Sequence, residues 1–391
     1  MPDRLLTILA WFYLLAYFSF CLAVGSKIIY SWFTKQKRIY LDSALCYPHV
    51  NPGEIRLLKL YPGRPGDPLT AWLYTTSFSD VSHVESYEAL SYVWGKSSWP
   101  KFIMVNGVSV RITPNLHDAL QHIRLARENR IIWVDAICID QANDEERGRQ
   151  VAIMGDIYKA AKQVINWLGP ATSKTTLGME ALTFLFEDQD IIVTPPWEKY
   201  PARRLRAAFN DILRRGYFER IWIVQENALA AKITLQIGNY KLTWLRGVET
   251  HRAICRIKYA AISPSWAAAG LQDLDFRPLL EMLEQNMMMA RMGVHKPCRE
   301  MTVLDLAFDL RYRKATDQRD MLFALRNMLP EDLKASFVID YSKSTDELYA
   351  AFFKEVRHAY EGEMKFVEQE VEKQRLESEA REKATYAGYG W

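Results

Sequence analysis

The stretch "IIWVDAICIDQANDEERGRQV", residues 131–151, sets two acids in an otherwise apolar run, Asp135 in the middle and Asp140 near its end. As a strand of an open parallel sheet, residues 131–139 would place Asp140 at the carboxyl end, where such sheets open their ligand crevice. Asp135 would then lie deeper and on the opposite face. A buried carboxylate costs several kcal/mol unless a donor compensates it. Asp135 therefore calls for an arginine or a set of backbone N–H groups, and reads as architecture. Asp140 reads equally well as a ligand-facing acid or as the residue that turns the chain into the next helix. Cys138, inside the same run, reads as a small core residue and not as a nucleophile. The chain contains no G-x-x-x-x-G-K-[ST], no G-x-S-x-G and no H-E-x-x-H, which leaves P-loop, serine-hydrolase and zinc-protease chemistry without support.

The elements that must position these acids follow from pattern. Residues 55–78 predict two strands around the breakers Pro62-Gly63 and Gly66-Asp67-Pro68. "YEALSYVWG", 87–95, is a short strand ending in glycine, and "FIMVNGVSVRIT" is a hairpin turning at Asn106-Gly107. A helix is expected from Pro114 to about Asn129, capped by Thr113 and carrying the stripe Leu116, Leu120 and Ile123. A second begins at about Asp144, with Asn143 and Glu146 as a capping box and Val151, Met154, Tyr158 and Ala161 as its stripe. "QVINWLG" is a further strand. Strand, helix, strand, helix, strand with short links implies a parallel sheet with right-handed crossovers. Beyond it come a helix near 177–187, two helices broken at Gly216, the hairpin candidate "KITLQIGNYKLTW", and a largely helical stretch from 245 to 360.

Of the 391 residues, 49% are hydrophobic and 25% charged, with a net charge of +3, so the chain is globular and nothing demands a nucleic-acid partner. Five cysteines with no pair at metal-ligand spacing argue against a disulfide framework or structural zinc, and for a reducing compartment. Residues 5–25, "LLTILAWFYLLAYFSFCLAVG", hold no charge and as a helix would span roughly 30 Å, a bilayer core. Lys27, Lys35, Lys37 and Arg38 follow, so residues 1–35 predict an N-terminal membrane anchor with the bulk of the protein cytoplasmic. The alternatives are a cleaved signal peptide, for which the apolar run is long, and a misassigned start or a helix docked on the protein itself.

Three blocks, "YEALSYVWG", "IIWVDAICIDQANDEERGRQVAIMGDIYKAAKQVINWLGP" and "YFERIWIVQENALA", resemble in sequence and order the signature blocks of the fungal heterokaryon-incompatibility (HET) domain. "ITPNLHDALQHIR", "RKATDQRDMLFALRNML" and "DYSKSTDELYAAF" extend the resemblance over about residues 54–352. It implies an effector of cell death in non-self recognition, with a fold distantly similar to TIR domains. The expected fold is α/β, a TIR-like (flavodoxin-like), mostly parallel sheet flanked by helices, with β-hairpin insertions and a helical C-terminal part. The expected organisation is the anchor at 1–35, a HET core at 54–250, a helical extension at 251–360 and a charged tail at 361–391.

Many TIR domains carry a Trp-x-x-x-Glu helix motif whose glutamate is needed for NAD cleavage. "RIWIVQE" is similar: Trp222, Gln225 and Glu226 fall at i, i+3 and i+4 on one helical face. On this resemblance Glu226 is the candidate catalytic acid. Such a carboxylate would stabilise an oxocarbenium-like ribosyl cation while nicotinamide leaves as a neutral ring, with no general acid required. Trp222 or Trp94 would stack on a ring, Arg220 would hold phosphate, and Gly95 would admit backbone to the ligand. Tyr92, Asp140, Gln141 and Gln225 complete the candidate ligand-binding set. No cofactor or metal is required, and NAD is the candidate substrate. The competing reading is a non-enzymatic module whose blocks build an assembly surface, working by self-association or under an upstream sensor protein.

Overall fold

The structure, a computed structural model, describes residues 47–78, 85–95, 99–187, 194–292, 313–329, 334, 337–352 and 354–355. Among these the strands are β1 (Glu54–Leu60), β2 (Thr70–Ser77), β3 (Glu88–Tyr92), β4 (Lys101–Val105), β5 (Val108–Ile112), β6 (Arg130–Trp133), β7 (Val164–Trp167), β8 (Lys232–Ile237) and β9 (Tyr240–Leu245). The longer helices are α1 (Pro114–Ile123), α2 (Asp144–Ala160), α3 (Thr175–Phe186), α4 (Ala202–Leu213), α5 (Trp222–Ala228), α6 (Val248–Ile262), α7 (Arg277–Met292) and α8 (Asp320–Arg326). The fold is α/β, and the described residues divide into two compact units, one holding those up to Ser77 and from Trp94 to Asn143, the other those of Phe78–Val93 and from Asp144 onward.

The first unit orders its strands β5-β4-β2-β1-β6. β1 and β2 form an antiparallel pair in which Leu57 faces Tyr74. β6 runs antiparallel to β1, and β4 runs parallel to β2. β4 and β5 are the expected hairpin, with both Asn106 and Gly107 at positive φ, as a tight two-residue turn requires. α1 is capped by the Thr113 hydroxyl and buries Leu116, Ala119, Leu120 and Ile123. It ends at Ile123 and does not continue to Asn129. The Arg124 side chain draws the backbone away there, donating to the carbonyls of Arg64, Asp67 and Pro68 and to the Gln121 amide.

The expected strand over 131–139 is corrected in its second half. β6 stops at Trp133, and Asp135–Cys138 is one helical turn in which the amides of Ile137 and Cys138 bond back to the Val134 carbonyl. A short apolar run suits a buried helical turn as well as a strand, and an acid at the first helical position is favoured by the exposed N–H groups there. Arg56 stabilises the turn from below, donating to the Cys138 carbonyl at 3.0 Å.

The second unit orders its strands β3-β7-β8-β9. β3, β7 and β8 are mutually parallel, and β9 returns antiparallel from β8. α2 buries Val151, Met154, Ile157 and Tyr158. Two tyrosines lock it to β3: Tyr87 donates to the Ile157 carbonyl at 2.7 Å and Tyr158 to the Leu90 carbonyl at 3.2 Å. Gly155 lets α8 approach α2, for a Cβ there would lie 2.6 Å from that of Asn327. The proposed anchor over 5–25 lies outside the described residues. Among the described residues no helix is long and apolar enough to cross a membrane.

Candidate functional site

The second unit gathers the polar residues of its signature blocks into one buried network. Ser91 enters from β3, and its hydroxyl donates to Oε2 of Glu226 on α5. The Ser91 and Tyr217 hydroxyls are 2.7 Å apart, and Asn227 Nδ2 donates to the Tyr217 oxygen at 3.0 Å. Asn166 of β7 donates in turn to Asn227 Oδ1 at 2.5 Å. The direction of the chain is thereby set. Tyr217 accepts from Asn227, so its one proton goes to Ser91, whose own proton goes to the carboxylate. Burial, and after it the Glu226 carboxylate, push the Tyr217 phenol well above its ordinary range, which keeps that proton in place. Below the network, Asn286 of α7 donates to the carbonyls of Asn227 and Ala230, holding the C-terminal end of α5.

Glu226 is only 2% exposed, and Ser91 and Tyr92 1% each. Packing explains why: α5 is short and is enclosed by α7, α8, α2 and β3, so Gln225, Glu226 and Asn227 are buried with it. Gln225 is fully buried, and its side-chain amide has no hydrogen-bond partner among the described residues. Arg220, half-buried, donates to the Tyr92 carbonyl. Its block is also held by the downstream segment, through the Ile221 amide to the Lys314 carbonyl at 3.1 Å and Arg313 to the Phe218 carbonyl.

Trp222 packs against Phe323, Ala324 and their neighbours, and its indole hydrogen-bonds to Asp320. Tyr341 also donates to Asp320, at 2.8 Å. Burial raises the Asp320 carboxyl to about 6 against the pull of these two donors. The ring of Tyr341 is itself flanked by guanidinium groups, Arg147 at 4.1 Å and Arg319 at 5.3 Å.

The first unit holds the remaining candidates. The Trp94 indole donates to Asp135 Oδ2 at 2.7 Å, and the Ala136 amide donates to Oδ1 at 2.7 Å. Asp135 thus has donors, an indole and a backbone amide. Gln141 donates to the Asp135 carbonyl at 3.0 Å. Asp140 accepts from the Ala142 amide at 3.0 Å, shaping the entry to α2. Gly95 is exposed, with φ of +76°. Burial pushes the Cys138 thiol up to about 12, which makes it inert as a nucleophile at neutral pH.

The structure therefore brings Tyr92, Arg220, Trp222, Gln225 and Glu226 into one unit and Trp94, Gly95, Asp140 and Gln141 into the other. A cleft of about 260 Å³ in the second unit is lined by other residues, among them Phe186, Glu187, Trp244 and Arg252. Sequence reasoning passed over Ser91, Asn166, Tyr217, Asn227 and Asp320. A polar residue inside a short apolar strand was the available signal for Ser91 and Asn166. Among the described residues no group of histidine, cysteine and acidic side chains could hold a metal ion.

Residues 87–226, from the foot of β3 to Glu226 itself, match the family model described as Heterokaryon incompatibility protein (HET). Over 231 residues the chain is 33% identical to "Heterokaryon incompatibility protein 6, OR allele" of Neurospora crassa. That match covers 48% of this chain and 33% of the relative, so the chain spans about a third of that protein's length. No solved structure matches. The ordered blocks, the match from β3 through α5 and the curated relative agree: over residues 87–226 the chain is similar to the heterokaryon-incompatibility (HET) domain.

Proposed function

We propose that this chain acts in heterokaryon incompatibility, transmitting a death signal by self-association or under an upstream sensor, with its signature blocks serving as the framework of an interaction module. The observation that supports this best is the setting of Glu226. Its carboxylate is buried, receives the Ser91 hydroxyl, and stands at the end of a chain of donors that reaches from β7. A glutamate so placed ties β3 to α5, as a structural acid does, and a substrate would have to displace that bonding to reach it. Trp222 is likewise engaged with Asp320 and packed among apolar neighbours.

The second reading is cleavage of NAD with Glu226 as the stabilising carboxylate, and the Trp222-to-Glu226 spacing is the feature in its favour. One experiment separates the two. NAD consumption is followed with the full chain and with Glu226→Gln, each concentrated enough to associate, and the fold of both is monitored by circular dichroism. The module reading expects no NAD loss from either protein and a lowered unfolding midpoint in Glu226→Gln. NAD loss with the parent chain and none with a folded Glu226→Gln would overturn it.

A further inference from the structure

The downstream segment 337–352 is pinned to the signature blocks at one carboxylate. Asp320, at the start of α8, is partly buried and accepts the Tyr341 hydroxyl at 2.8 Å and the Trp222 indole N–H. Tyr341 belongs to the segment and Trp222 to α5, so this side chain joins three elements. The Tyr341 ring rests on the Arg147 guanidinium of α2, which brings in a fourth. Phe337, Ile339, Leu348 and Phe352 of the same segment pack with Val151, Leu322 and Phe323.

Both donors to Asp320 are neutral, and among the described residues it forms no ion pair. The two guanidinium groups nearby are committed to other acids. Arg319 grips Asp317 through hydrogen bonds of 2.9 and 2.5 Å, and Arg147 pairs with Asp144 at 2.9 Å. Asp320 is therefore faced by Asp317 and Arg319 from its own side, by Arg147 from α2 and by the Tyr341 phenol from the segment, while α5 brings the indole, which does not titrate. Asp317 stays ionised, because against its burial the hydrogen bonds from Arg319 hold it below the usual carboxylate range. The Tyr341 phenol stays neutral, raised by burial and then by the Asp320 charge. Asp320, raised by burial to about 6, is the member of the cluster whose charge changes near neutrality.

We propose that Asp320 is a pH-operated latch for the downstream segment: protonated, it holds the segment closed on α2 and α5, and ionised, it favours release. The contact survives protonation, since the Tyr341 hydroxyl that donates to the carboxylate can accept from the carboxyl. Opening returns the group to water and to its ordinary value of 3.8. The charge is better tolerated open than closed, so the segment loosens as pH rises through about 6 and tightens on acidification. With these two values the opening constant grows about tenfold between pH 5 and 7.5. The latch goes beyond the module reading and holds whatever the signature blocks bind.

The test is hydrogen exchange of the full chain at pH 5 and 7.5, corrected for intrinsic rates and read by mass spectrometry. Peptides from 337–352 should open about tenfold more at pH 7.5, and should exchange faster there than those of β8, since the segment opens while the sheet stays folded. Asp320→Asn, which keeps the shape and cannot ionise, should flatten the difference. Should that variant fail to fold by circular dichroism, Tyr341→Phe takes its place. It removes a donor to the carboxylate, and should raise opening more at pH 7.5 than at pH 5. Opening in the parent that is flat with pH, an Asp320→Asn protein that keeps the tenfold difference, a Tyr341→Phe effect equal at both pH values, or a segment as protected as β8 throughout would each overturn the latch.

Discussion

Replacing Ser91 by alanine should be among the most damaging small substitutions in the second unit. The change removes one hydroxyl and no appreciable volume, so packing loss is minor. It deprives the Glu226 carboxylate of its Ser91 donor, a charge-assisted bond of about 1.5–3 kcal/mol. It also strips the Tyr217 hydroxyl of its acceptor at 2.7 Å, leaving a buried donor unsatisfied at about 1–3 kcal/mol. Together the loss should come to about 3–5 kcal/mol, a large part of the stability of an ordinary domain. Urea unfolding of the full chain measures it. The network also predicts non-additivity, because Tyr217→Phe in the Ser91→Ala background removes a hydroxyl that has already lost its acceptor. The double variant should be less destabilised than the two single changes combined, by about 1 kcal/mol or more. A Ser91→Ala protein within about 0.5 kcal/mol of the parent, or a strictly additive pair, would refute the directional chain from Asn166 to Glu226.

Two further outcomes are expected. Asp320 titrates at about 6 in the folded protein, raised by burial from 3.8. A raised carboxyl lowers stability as pH climbs through that window, by about 3 kcal/mol once it is fully ionised. Asp320→Asn should therefore gain on the parent as pH rises from about 4 to 7, read as the difference in urea midpoints; a difference flat with pH would sink this. The buried amide of Gln225, unpartnered among the described residues, makes Gln225→Met neutral or stabilising by about 1 kcal/mol, and a clear loss of melting temperature would count against that account.

The sequence by itself determined most of the elements and the likeness to a HET domain. Strands, hairpins and helix starts were legible because alternation, Asn106-Gly107 and Thr113-Pro114 are local signals that need no tertiary partner. The three blocks were legible as a HET domain because their order survives in one dimension. What only the tertiary structure decided was the role of each polar residue. The run 131–139 divided into a strand and a helical turn, since apolarity marks burial and not the backbone conformation in which burial is achieved. Asp135 found Trp94 and a backbone amide, neither of which spacing could nominate. Glu226, which stands on the same helical face as Trp222, is bonded to Ser91, 135 residues earlier in the chain, while Trp222 turns to Asp320. Such pairings depend on which side chains the folded backbone brings within 3 Å of each other, and hydrogen bonds have no sequence period from which to read them.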